Sequence, residues 1–305
     1  MGMNRYMKGM SNGGVISAET GEALDNTQLR AVVPSLFARE AHESRSARFA
    51  PIPTIDVIDG LRREGFDPFF AQQARTRIEG KAEFTKHMVR LRHRSLARAD
   101  GEAFEIILVN ANDGTSAYQM LPGFFRFVCA NGLFTGDTFN EIKVRHSGNA
   151  IDDVIEGAYT VLSDAPRVTE QVDAAKGIAL SDPERELFAR SVHMLRFPDA
   201  YPVEDENGDV IDAEADVKPA PISADALLLR RRMADGDIAS TLWGTFNVVQ
   251  ENAIKGGLRG MTTGSNGRRR RATTRPVAGI DQNRALNRAM WSLMEGMANL
   301  KAAAA

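Results

Sequence analysis

Cysteine is almost missing from this chain: Cys129 is the only one in 305 residues. An internal disulfide and a multi-cysteine zinc site are therefore excluded. Inside the apolar run FFRFVCANGLF the residue reads as a small buried hydrophobe. Long apolar runs are missing too, and none approaches the roughly 20 residues of a membrane-spanning helix. The first stretch, MGMNRYMKGMSNGGVISAETGEA, has no apolar signal core, so the expected compartment is the cytoplasm, with no membrane partner. No Gly-Lys-Ser/Thr follows a glycine-rich loop, no GxGxxG opens a strand-to-helix turn, and GxSxG and HExxH are absent. The five histidines, His42, His87, His93, His146 and His193, are scattered and form no close metal pair. They read as core or hydrogen-bonded residues. No catalytic set, metal site or cofactor is assigned.

What is present is charge, unevenly placed. The formal total is only −2. Residues 62–98 nevertheless hold 10 Lys/Arg against 4 Asp/Glu. Residues 255–279, KGGLRGMTTGSNGRRRRATTRPVAG, hold seven Lys/Arg, six Gly and no acid, and read as a flexible basic loop. Residues 199–216 hold 8 Asp/Glu and no Lys/Arg. Asp205, Asn207 and Asp209 there give a poor match to a calcium loop, because Val210 stands where the glycine is required and Asp216 where the glutamate is. The region reads instead as an acidic loop over 199–218.

Periodicity divides the chain. Residues 1–28 have no clear period and read as a flexible tail; 29–300 read as a single α+β domain. Thr54 is placed to cap a helix over 55–64 that ends at Gly65. Around 70–94 two runs alternate as strands, followed by Phe104–Asn110. In Thr85–Arg94 one side of the strand shows Thr85, His87, Val89, Leu91 and His93, and the other Lys86, Met88, Arg90, Arg92 and Arg94. Arg75 and Arg77 repeat the spacing one strand earlier, and Lys143 and Arg145 one strand later. Asp100-Gly101, Asp113-Gly114 and Asn131-Gly132 read as turns. Ala117–Cys129 is apolar and long, and reads as a buried helix bent near Pro122. Helical periods begin at Ala150, at Asp182-Pro183, over 223–233, over 237–254 and over 282–300. The fold class is α+β: an antiparallel β-meander sheet over about 66–148 packed with helices, followed by a helical C-terminal half over about 150–300.

The segments PSLFA (34–38), EAHESRSARFAPIPT (40–54), AQQARTRIEGKAEFTKHMVRLRH (71–93), FRFVCANGL (125–133) and TLWGTFNVVQE (241–251) resemble the phage/plasmid-like protein family, domain of unknown function 932. The family's WG-x-x-N-x-x-x-E-Y pattern is matched by Trp243, Gly244, Asn247 and Glu251, with Asn252 where the aromatic stands. The resemblance implies carriage on phages, plasmids and other mobile elements. It brings no established activity and no catalytic residues. The order of three strands and then a helix is also similar in topology to single-strand annealing recombinases, which form rings around a basic groove.

These readings converge on a polyanion ligand. The expectation is a nucleic-acid-binding protein, with single-stranded DNA binding or annealing in DNA maintenance or recombination as the concrete form and a homo-oligomer as a possible assembly. The residues assigned to phosphate contact are Arg75, Arg77, Lys86, Arg90, Arg92, Arg94, Lys143 and Arg145 on the sheet, and Arg268, Arg269, Arg270 and Arg271 as an accessory clamp. Two alternatives stay open. One is a protein-binding module, its acidic stretch facing a basic host defence protein. The other is a metal-dependent DNA-processing enzyme. Charged side chains on a sheet face are also ordinary solvation, and they protect exposed edges.

Overall fold

The meander expected over 66–148 forms the centre of an antiparallel sheet. The structure is a computed structural model that describes residues 5–8, 14–18, 22–45, 49, 51–96, 102–126, 131–134, 141–144, 150–202, 218–229, 240–263 and 268–304. The chain divides into two units, residues 1–170 and 171–305. Among the described residues no helix is long and apolar enough to cross a membrane.

The first unit is built on eight strands: β1 (Arg5–Lys8), β2 (Gly14–Ser17), β3 (Phe66–Gln73), β4 (His87–His93), β5 (Glu102–Asn110), β6 (Tyr118–Arg126), β7 (Asn131–Phe134) and β8 (Ile142–Val144). They lie in the order β1-β2-β3-β4-β5-β6-β7, with β8 also paired to β6. Residues expected to be a tail thus supply two strands, and Val15 to Ser17 lie in register with Gln72 to Phe70. All nine residues of β5 are buried, so both sheet faces are covered there. On one face sit His87, Val89 and Leu91 of β4, Ile106 and Leu108 of β5, and Met120 and Phe124 of β6, all buried.

Helices α1 (Asn26–Val32), α2 (Thr54–Arg63) and α3 (Ala150–Leu162) belong to the same unit. The last comes so close to the sheet at Gly157 that a Cβ there would lie 2.2 Å from Met120 Cε. Asp56 in the first turn of α2 and Arg62 and Arg63 in its last suit the helix dipole. Gly65, at φ +92°, turns the chain out of it. Thr54 is not the cap that the sequence suggested. Pro53 occupies that position with no side-chain hydrogen bond, and the Thr54 hydroxyl lies 2.7 Å from His87 Nε2. Asn110 Nδ2 donates to the same hydroxyl at 3.1 Å. His87 and Asn110 are directly opposed across β4 and β5. The result is a buried polar patch at one end of the sheet.

Two further expectations are corrected. The apolar run 117–129 is a strand over Tyr118–Arg126, not a helix. Apolar periodicity cannot tell a fully buried strand from a buried helix, and β6 is buried at Leu121 and Pro122 as well as at Met120 and Phe124. Pro122 is tolerated because of where the neighbours stop. On the outer side β8 pairs with 118–120 and β7 with 123–126, so Pro122 sits where the outer partner of β6 changes. Asn131-Gly132 is not a turn but the start of β7, opposite Arg126 and Phe125. Asp113-Gly114 is a turn, with Gly114 at φ +74°. The turn expected at Asp100-Gly101, Cys129 and the calcium-like residues 205–216 lie outside the described residues.

The boundary between the units falls within α4 (Ala165–Gly177), a helix the sequence reading did not foresee. The second unit holds α5 (Asp182–Arg196), α6 (Leu242–Lys255) and α7 (Ile280–Ala304). Of the helix expected over 223–233, the described part is a single 3-10 turn at Ala224–Leu228. The stripe Leu242, Phe246, Val249 and Ala253 of α6 is buried, and so are Trp243, Asn247, Gln250 and Glu251 beside it. Trp243 stacks on Phe246 at 5.4 Å, and Trp291 of α7 meets the two rings edge-on at 6.5 and 6.2 Å. Such pairs contribute about 0.5–1.5 kcal/mol each beyond their burial. Gln250 Nε2 donates to Asn287 Oδ1 at 2.8 Å, which fixes the register of α7 on α6.

The stretch 255–279 is not a loop throughout. It contains a two-stranded antiparallel ribbon, β9 (Arg259–Thr263) and β10 (Arg269–Thr273).

Candidate nucleic-acid interface

Of the twelve basic residues singled out by the sequence, the eleven that the structure describes fall into three environments. Arg90 and Arg92 lie on β4 with 5% and 8% of their surface exposed. Arg90 donates from Nε to one oxygen of Glu105 at 2.6 Å, and Arg92 from Nε to the other at 2.8 Å. Glu105 is fully buried on β5, two residues before Ile107, the cross-strand partner of Arg90. The guanidinium groups also lie over Phe70 and Phe69, at 4.8 and 4.4 Å. Burial pushes the Arg92 pKa down, and Glu105 pulls it partly back. Alternation correctly puts both arginines on one face, but that face is buried here and its charge is turned to a carboxylate.

The remaining sheet residues are more open. Arg75 and Arg77 are exposed, but they lie in the irregular segment after β3 rather than on a strand. Lys86 is half-buried just before β4. Arg94 is exposed in the turn after β4 and forms an ion pair with Asp67 at 2.8 Å. The Asp67 hydrogen bond raises its pKa. Lys143 lies 3.5 Å from Glu141. Arg145 lies outside the described residues. The first unit thus scatters these charges and pairs several of them with acids.

The second unit does the opposite. In an antiparallel ribbon, opposed residues point to the same side and successive ones alternate. Arg269 faces Thr263, Arg271 faces Met261, and Thr273 faces Arg259. These six side chains share one face, and all six residues are exposed. Gly260, Thr262 and Ala272 on the other face are half-buried, while Arg270 remains exposed. Arg268, just before β10, and Arg275, just after it, are exposed as well. Among the described residues Arg259, Arg269, Arg270 and Arg271 have no acidic partner. Sequence reasoning included Arg268–Arg271 but missed Arg259 and the ribbon. The available signal was the Thr262-Thr263 and Thr273-Thr274 pairs on either side of the Gly- and Arg-rich run 264–272, whose composition masked it.

Exposed guanidinium groups of this kind can donate hydrogen bonds to anions. Among the described residues no three His, Cys, Asp or Glu side chains converge as a metal cluster. His193, one of the buried histidines, is held by the Tyr201 hydroxyl at 2.7 Å and the Ile222 carbonyl at 2.9 Å.

Residues 41–291 match the family described as Domain of unknown function (DUF932). The chain belongs to that family. Two relatives from Escherichia coli (strain K12) are similar over nearly their whole length. UPF0380 protein YafZ is 42% identical over 274 residues, covering 90% of this chain and 91% of the relative. UPF0380 protein YfjQ is 42% identical over 272 residues, covering 89% and 90%. No solved structure matches. The resemblance of this DUF932 chain to annealing recombinases rested on a helix after the third meander strand, and that segment is β6.

Proposed function

We propose that the protein binds nucleic acid through the phosphate backbone, with the β9–β10 ribbon as the contact surface. The observation that carries the reading is the shared exposed face of Arg259, Arg269 and Arg271, with no acid between residues 255 and 279. Guanidinium groups suit phosphate oxygens because their planar fork donates two parallel hydrogen bonds. A two-stranded ribbon is also narrow enough for the major groove of a duplex. The ribbon has no aromatic side chain to stack on bases, so it supplies affinity rather than choice of strand. Single-stranded DNA binding or annealing on a mobile element is the finer form of the proposal. The charge of the ribbon supports binding to either kind of strand, and the family resemblance bears only on the mobile element. The protein-binding and metal-enzyme alternatives gain no supporting observation from the described residues, and 203–217 of the acidic stretch lie outside them.

The test is fluorescence anisotropy on single- and double-stranded DNA of equal length across a salt series. Salt-steep binding is expected. In the Arg269→Ala/Arg271→Ala variant the slope of log K against log salt should fall by about 1.4 on single strands and about 1.8 on duplex, two phosphate contacts' worth. Unchanged affinity and slope in the folded variant would remove the ribbon from the interface.

A further inference from the structure

The ribbon emerges from a base held by one arginine that is not itself on it. Arg196, the last residue of α5, donates from Nε to the Ala253 carbonyl at 3.1 Å and from Nη2 to the Arg275 carbonyl at 3.0 Å. Ala253 lies in the last turn of α6, where backbone carbonyls have no partner within the helix. Arg275 lies two residues beyond the end of β10. One guanidinium therefore ties the chain entering the ribbon to the chain leaving it. Its plane also lies over the Phe197 ring at 5.1 Å. Arg196 is half-buried, and that burial lowers its pKa.

The surrounding hydrogen bonds close the same base. Gly257 N–H donates to the Thr274 carbonyl at 2.6 Å, Thr274 N–H to the Leu258 carbonyl at 2.9 Å, and Val277 N–H to the Ile254 carbonyl at 2.8 Å. Met261 N–H donates to the Pro221 carbonyl at 2.8 Å, which holds β9 from its outer side. Gly256 has φ +60°, and a Cβ there would lie 2.4 Å from the Arg275 carbonyl carbon. A side chain cannot fit where the two segments touch.

We propose that Arg196 is a positioning residue for nucleic-acid binding. It sets the direction of the ribbon by joining the two ends of its base, so the outer arginines meet a ligand preformed. This inference rests on the ribbon being the nucleic-acid contact. A ribbon fixed in advance loses less freedom on binding than a loose one, and affinity rises accordingly. Arg196 touches no phosphate in this scheme. Its removal should therefore weaken binding without changing how many counterions are released.

The experiment compares Arg196→Gln, Arg196→Lys and Arg269→Ala/Arg271→Ala with the unmodified protein. Each is measured for DNA affinity by anisotropy across salt, and for amide hydrogen exchange over residues 259–273. For Arg196→Gln the expected result is a several-fold loss of affinity at every salt concentration, an unchanged slope, and faster exchange confined to the ribbon. Arg196→Lys, which reaches one carbonyl but not both, should recover part of the affinity; it also serves as the readable variant if Arg196→Gln fails to fold. The double alanine should flatten the slope and leave ribbon exchange unchanged. If the Arg196 variants bind like the unmodified protein while the double alanine does not, the positioning role is overturned alone. A flattened slope in Arg196→Gln makes the residue a direct contact and overturns it too. If the double alanine binds normally, the reading of the ribbon falls, and the positioning role falls with it.

Discussion

Arg90 and Glu105, on neighbouring strands, meet at 2.6 Å inside the sheet, and the second oxygen of the same carboxylate takes Arg92. One buried acid therefore holds two buried cations. Removing the acid would leave two like charges facing each other away from water. Glu105→Ala is expected to destabilise the first unit by about 3–5 kcal/mol, the usual result of orphaning a buried ion. Replacing all three residues with apolar ones of similar volume should cost less than the single change. Urea denaturation of both variants checks the order, and a larger loss in the triple variant would contradict it.

The Thr54 hydroxyl lies between His87 and Asn110 with no exposure to water. Thr54→Val keeps the shape and removes the hydroxyl. It should cost about 1–3 kcal/mol, because a buried ring nitrogen and an amide N–H each lose a partner. Thr54→Ser should recover most of that. Thermal or chemical denaturation separates the two, and equal losses would show that the methyl group, not the hydroxyl, matters there.

Glu184 accepts a hydrogen bond from Lys301 at 2.7 Å, and one each from the Ser181 N–H and hydroxyl at 2.7 and 2.9 Å. These contacts, Lys301 first, pull its pKa from 4.5 to about 2. The folded value lies below the unfolded one. The contribution to stability is therefore complete above pH 4.5 and is lost as pH falls toward 2. A Glu184→Gln variant should be less stable at neutral pH and should show a shallower loss between those limits. Parallel acid-unfolding curves would refute this.

The meander was legible because β4 alternates and its neighbours end in recognisable turns. Alternation assigns side chains to faces but does not say what covers a face, so Arg90 and Arg92 read as solvent-facing. Their burial follows from register: Glu105 is two residues from the partner of Arg90, a relation that exists only once β4 and β5 are aligned. β6 was misread for the same reason in reverse, since burial on both sides removes the alternation that marks a strand. The ribbon was hidden by composition, because glycine and arginine outweighed its few threonines. The helical half was easier. The Asp182-Pro183 start of α5 and the stripe of α6 survive in any environment, and only α4, with few apolar residues, went unseen.

Pro122 has a consequence for motion. It stands where the outer partner of β6 changes from β8 to β7, so the two ladders on that side meet at a residue with no N–H to donate. Each short ladder has few hydrogen bonds and is expected to open more readily than the long β5–β6 pairing. Local opening on this side is therefore expected to begin at β7 and β8 rather than in the middle of the sheet.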